Sequence, residues 1–307
     1  MFDIFLGLTP FISITLIGFF FGKSKVFDLQ KAKIFNLFSF YVAIPALIIK
    51  LIAQSNISEI DISQMSSYLL MQLSCGFFAF LLTNRIFKRP TQESVIWSLT
   101  VALSNHVILV LPVSEIFFGR NTITQISNII LMDSVVIISI VSFFLELTAK
   151  KKNKLFDFLK SLILNPLILS IFIGLFIKIL NVNINESPFE YILIKLSACA
   201  MPVGLFAIGI ILSYYSDKIF NKLTITISVL KLIISPVVLL IFSSTLFNIS
   251  NPVNISGALM VSVGPCGASA IFMCSAYNIS PKNFIKAILI STFASIFTFL
   301  FTINLLN

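Results

Sequence analysis

One histidine and twelve acidic residues are all that 307 residues supply. A catalytic or structural metal needs several His, Cys, Asp or Glu ligands gathered at one point. The four cysteines, Cys75, Cys199, Cys266 and Cys274, show neither metal-ligand nor redox spacing. All four lie in apolar stretches and read as small packing residues. The chain is therefore read as a non-enzyme with no cofactor, and an intramembrane metalloenzyme is disfavoured. No Gly-rich phosphate loop or Walker-type run occurs, so nothing here uses ATP. Charge is also scarce, at 11% of residues, against about 25% in ordinary soluble domains. Polar linkers are short throughout, which leaves no room for a separate soluble domain.

What is present is hydrophobic sequence, 58% of the chain. It falls into ten runs: 2–22, 34–54, 66–87, 95–118, 126–148, 158–180, 190–213, 222–247, 254–277 and 283–306. Each is close to the roughly 20 residues that cross a bilayer as a helix. The pattern predicts an all-α membrane protein of ten transmembrane helices, a single unit over 1–307 with the lipid bilayer as its surroundings. A formal charge of +9 would suggest nucleic acid in a soluble protein. Here the charge sits in alternate links, so no nucleic-acid partner is expected. Lys23, Lys25, Lys31 and Lys33 lie between runs one and two, and Arg85, Lys88 and Arg89 between three and four. Lys150, Lys151, Lys152, Lys154 and Lys160 border runs five and six. Lys218, Lys222, Lys282 and Lys286 mark the last two odd links. The opposite links hold Arg120 with the acids Glu59, Asp61 and Glu186. Basic links face the cytoplasm, which places both termini outside it, in a bacterial-type inner (plasma) membrane. Run one is not read as a cleavable signal, since Asp3 precedes it, the positive charges follow it, and no Ala-x-Ala site appears.

Runs four and nine carry helix breakers at their centres: Ser104-Asn105-His106 before Pro112, and Gly264-Pro265-Cys266-Gly267. Hydrocarbon offers no water to backbone groups freed by a break, so such breaks survive only in a protein interior or beside a wet cavity. Paired breaks in corresponding halves point to a transporter's binding site. The halves also match. Pro10 and Gly18 have counterparts in Pro166 and Gly174, and Pro45 in Pro202, at offsets of 156 and 157. Five runs per half, 1–150 and 151–307, make an inverted repeat, because an odd number reverses the sense of entry.

Several stretches together resemble the auxin efflux carrier family, whose bacterial members are often labelled malate or malonate permeases. They are FYVAIPALI (40–48), SNHVILVLP (104–112) with EIFFG (115–119), NPLILSIFIGLF (165–176), MPVGLFAIGIIL (201–212) and KLIISPVVLLI (231–241). The resemblance covers nearly the whole chain. It implies two inverted five-helix repeats, with helices 1, 2, 6 and 7 as scaffold, helices 3–5 and 8–10 as transport unit, and helices 4 and 9 crossing at their breaks. It implies small carboxylates and related organic anions as substrates, and a homodimer through the scaffold. Two features depart from the family pattern: His106 after Asn105, and the breaker-rich Pro265-Cys266-Gly267.

The candidate substrate-binding residues are Ser104, Asn105, His106, Pro112, Gly264, Pro265, Gly267 and Ser269. Half-helix N-termini present N–H groups and a partial positive charge to an anion, consistent with the absence of Arg and Lys at either break. Asn105, Ser104 and Ser269 add donors, and Gly264 and Gly267 allow backbone to approach a ligand. Asp133, His106 and Lys231, ionisable inside apolar runs, are candidates for ion or proton coupling. Glu115 and Glu146 read as interfacial. Alternating-access transport of small organic anions is the leading reading. A sodium-coupled carrier resembling the bile acid symporter relatives is the alternative, and a receptor-like or structural membrane protein explains ten spans but not two breaks.

Overall fold

The computed structural model describes residues 2–54, 61–148, 163–180, 182, 184, 187–215 and 220–306. Lys150, Lys151, Lys152, Lys154, Lys160, Lys218, Glu59 and Glu186 lie outside the described residues, as does the start of the sixth apolar run. Apart from one isolated β-bridge, regular structure among the described residues is helical. In lipid this follows from elementary accounting: a helix satisfies its own N–H and C=O groups, whereas an open strand does not.

The helices in chain order are α1 (Phe2–Lys23), α2 (Leu29–Gln54), α3 (Ile62–Ile86), α4 (Thr91–Ala102), α5 (His106–Phe117), α6 (Asn121–Thr148), α7 (Pro166–Ile179), α8 (Pro188–Tyr215), α9 (Lys222–Thr245), α10 (Pro252–Ser262), α11 (Ser269–Ala276) and α12 (Lys282–Leu306). Among the described residues, α2, α3, α6, α8, α9 and α12 are long and apolar enough to cross a membrane. Starts coincide with capping side chains. Asp28 accepts from the Lys31 amide at 2.8 Å, Asp61 from Gln64 at 3.1 Å and Asn221 from Thr224 at 2.9 Å. The Asn165-Pro166 pair is likewise a cap: Asn165 accepts from the Leu167 amide at 2.9 Å, and proline takes the first helical position, where no donor is required.

Three internal prolines share one local solution. Pro45, Pro112 and Pro236 each follow a residue whose amide donates five positions back: Ile44 to Ser39, Leu111 to His106, Ser235 to Leu230. A proline lacks the N–H its helix needs and crowds the carbonyl four residues earlier. One wide π-turn before it absorbs both defects.

Two tight seams brace the bundle. α1 runs along the second half of α8, and α7 along the second half of α2. A Cβ on Gly18 would stand 2.2 Å from the Phe206 carbonyl oxygen, and one on Gly209 would stand 2.0 Å from that of Thr15. On the other seam, a Cβ on Gly174 would meet Ile52 at 2.8 Å. The two glycines paired by the sequence repeat, Gly18 and Gly174, thus both sit at helix contacts that admit no side chain. The remaining helices pack around α3, α4, α6, α9 and α12, with α10 against α6. There Gln125 accepts from the Gly257 amide at 2.7 Å and donates to the Asn254 carbonyl at 3.1 Å.

Candidate functional site

α4 stops at Ala102, where Leu103 turns extended (φ −87°, ψ 141°). α10 stops at Ser262, and 264–268 carry no helix. The two interruptions meet. Ser104 and Cys266 form an antiparallel bridge, the Asn105 amide donates to the Pro265 carbonyl at 2.9 Å, and the Gly267 amide donates to that of Leu103 at 2.8 Å. Side chains complete the pairing. Ser104 Oγ donates to the Val261 carbonyl, Thr298 Oγ1 to the Val263 carbonyl at 2.8 Å, and the Cys266 amide to Ser291 Oγ at 3.0 Å. Each break therefore supplies the hydrogen bonds the other lost, and α12 supplies the rest.

This arrangement revises two expectations. The amides of Asn105, Cys266 and Gly267 are occupied and do not wait for an anion. Gly264 and Gly267 serve the meeting of the breaks. A Cβ on Gly264 would lie 2.5 Å from Val110 Cγ2, and one on Gly267 would lie 2.9 Å from Leu103 Cβ. Neither has a positive φ; close approach, not conformation, demands glycine here. Pro112 and Pro265 also act on the backbone, one behind a π-turn, the other as a carbonyl acceptor.

Beside the crossing lies a cavity of about 60 Å³, room for roughly four water molecules. Ser104, Asn105, His106, Asp133 and Ser269 line it, joined by Asn36, Ser39, Phe40 and Ser134. Gly264, Pro265, Gly267, Pro112 and Lys231 do not. Asn105 is 5% exposed, and its Nδ2 has no hydrogen-bond partner; nor has Ser39 Oγ. Phe40 and Phe272 stack across the wall with ring centroids 4.0 Å apart. His106 Nδ1 lies 2.6 Å from the Ser104 carbonyl oxygen, and its Nε2 lies 4.0 Å from Asp133 Oδ2. Gln72 Nε2 donates to Asp133 Oδ1 at 2.8 Å and to the Ala102 carbonyl at 3.0 Å.

Lys231 is fully buried on the π-turn of α9, with no hydrogen-bond partner for Nζ. Its electrostatic neighbours are Cys266, Asp133 and Cys75, so Lys231 and Asp133 share one region. Glu146, expected at the interface, is covered by protein. It is 3% exposed and accepts from the Tyr277 hydroxyl, just beyond α11, at 2.7 Å. Sequence reasoning missed Gln72, Ser134, Ser291 and Thr298. For Gln72 the signal was available, an amide within Leu69-Leu70-Met71-Gln72-Leu73. The serines and threonine sit among many others in apolar runs and carry no such mark.

A second, smaller void of about 30 Å³ lies among Phe11, Ile12, Thr15, Leu109, Leu205 and residues 292–299 of α12. Leu167, Ile48 and Ile138 of the first cavity stand at the repeat offsets of 156 and 157 from Phe11, Leu205 and Ser295 of the second. Among the described residues no group of three or more His, Cys, Asp or Glu is placed to hold a metal.

A family described as membrane transport protein matches residues 3–303. No curated protein matches the chain.

Proposed function

The chain belongs to the auxin efflux carrier family of membrane transport proteins, and from that premise we propose that it is a secondary transporter of small organic anions working by alternating access. The observation that carries this reading is the cavity at the crossing, where the Asn105 amide is buried with an unused donor. An unmet buried donor is costly, and an acceptor-rich carboxylate of a few heavy atoms supplies what it lacks. The first turns of α5 and α11 begin at the same cavity, and helix N-termini favour negative charge.

Alternating access is supported by the offset between the two voids. In an inverted repeat, the same residues exchange roles when the access path changes sides. The polar cavity reaches along α2 from Ile48 back to Asn36, toward the basic link at 23–33. By the positive-inside rule that end is cytoplasmic, so we read the described conformation as inward-facing and the small void as the closed outer path. Two five-helix repeats, with α1, α2, α7 and α8 as scaffold, fit the two glycine seams.

The test is uptake of radiolabelled mono- and dicarboxylates into proteoliposomes holding the full chain. We expect saturable uptake of at least one small carboxylate, reduced more than tenfold in Asn105→Ala, which keeps the backbone pairing. Carboxylate transport that is indifferent to Asn105→Ala overturns the site. Uptake abolished by removing sodium returns the sodium-coupled alternative.

A further inference from the structure

The cavity proposed for an anion carries a carboxylate of its own and no Lys or Arg in its wall. Two like charges in so small a buried space repel strongly, so an anion and ionised Asp133 do not share it comfortably. The hydrogen bonds around Asp133 show where relief comes from. Oδ1 is engaged by the Gln72 amide, while Oδ2 is buried without a hydrogen-bond partner. His106 Nδ1 faces a carbonyl oxygen, which only accepts, so Nδ1 bears the hydrogen. In the neutral ring, Nε2 is then a bare acceptor. Two acceptors, Nε2 and Oδ2, look at one another across 4.0 Å, beyond hydrogen-bond range. What the pair lacks is one proton.

We propose that Asp133 and His106 form a single-proton site, and that each substrate anion enters the cavity together with one proton. The proposal rests on the anion-transporter reading. The proton sits on Oδ2 or on Nε2. In either place it removes the like-charge conflict, and the hydrogen can point at the substrate carboxylate. Proton and anion then move together in the same direction, each lowering the cost of binding the other.

The charged and titratable groups around the pair are Tyr68 on α3, and Lys231 on α9. The Tyr68 hydroxyl accepts from Gln72 Nε2 at 3.4 Å. Lys231 does not line the cavity. Cys75 and Cys266 face Lys231.

The test uses the full chain in proteoliposomes with radiolabelled malonate, at zero membrane potential and a gradient of about one pH unit above neutrality. One proton per anion sets a steady-state accumulation ratio of roughly tenfold per pH unit. Adding malonate should also acidify the lumen, as read by a trapped pH dye. Malonate that exchanges at equal pH yet ignores the gradient overturns the proton site. Absence of any exchange with malonate and the rest of the carboxylate panel overturns the transporter reading instead. In Asp133→Asn and His106→Gln the ratio should fall toward one. A merely damaged protein only slows the approach to the same ratio, so this readout separates coupling from folding. Should Lys231→Met lose the ratio while both other variants keep it, the assignment to Asp133 and His106 is wrong.

Discussion

The two voids flanking the crossing draw lining residues from matching sequence offsets and differ in chemistry. The cavity near the basic end of α2 is polar, with Ser104, Asn105, His106, Asp133 and Ser134 in its wall. Its counterpart is half the size and walled largely by Phe11, Leu109, Leu205, Phe293 and Phe299. At the sequence offset of 157, Ser104, His106 and Asp133 are matched by Val261, Val263 and Ile290. Four of the five candidate residues that reach the cavity come from the first half; only Ser269 comes from the second. The difference teaches that positions matched by sequence offset need not carry matched chemistry: the polar side chains gather in one void. On the alternating-access reading proposed above, one set of polar side chains serves whichever path is open.

The two glycine seams are the easiest part of the molecule to break. Gly209→Leu forces a side chain into the Thr15 carbonyl, where a Cβ alone would be 2.0 Å away. We expect loss of folded protein, seen as the disappearance of a monodisperse peak after detergent extraction. Gly119→Ala, with nothing within 4 Å of the new carbon, should extract normally. If Gly209→Leu extracts equally well, the seam does not brace the bundle.

The next effect sharpens the contrast between the paths. In a chain freed of its native cysteines, Ser39→Cys should react with a membrane-impermeant thiol reagent from the basic-link side. Thr15→Cys, at the smaller and more apolar void, should react at least about tenfold more slowly until a substrate gradient drives the transporter outward. Equal labelling of both positions from one side would dissolve the comparison.

A smaller effect concerns the crossing itself. Gly267→Ala presses a methyl against Leu103 Cβ and its carbonyl, at 2.9 and 3.0 Å. Overpacking of this kind costs about 1–3 kcal/mol, and thermal unfolding in detergent should show it together with slowed transport. Smallest is Thr298→Val. It strips the Val263 carbonyl of its 2.8 Å donor and should cost about 1–2 kcal/mol with substrate affinity nearly unchanged. A variant as stable as the parent would show that water or another group replaces the hydroxyl.

Much of this was legible beforehand in particular residues. Pro112 announced local irregularity in run four, whereas Asn165-Pro166, read as lying within the apolar run 158–180, caps a helix start instead. Ser104-Asn105-His106 and Gly264-Pro265-Cys266-Gly267 announced the breaks. Apolar length, alternating basic links and breaker position are properties of the chain read one residue after another, and lipid enforces them locally, since a backbone without water must close its own hydrogen bonds. Whether the two breaks would pair, however, was not written in either of them. Nor was it visible that Ser291 and Thr298 would complete their bonding, or that Gln72 would hold Asp133 beside His106. Those outcomes depend on which faces of distant helices meet, and a rotation of about a third of a turn exchanges a cavity wall for a lipid contact. The sequence by itself determined that this is a membrane-embedded helical transport protein with two interrupted segments. Only the tertiary structure decided which polar groups share one space, because proximity between residues far apart in the chain is a product of packing.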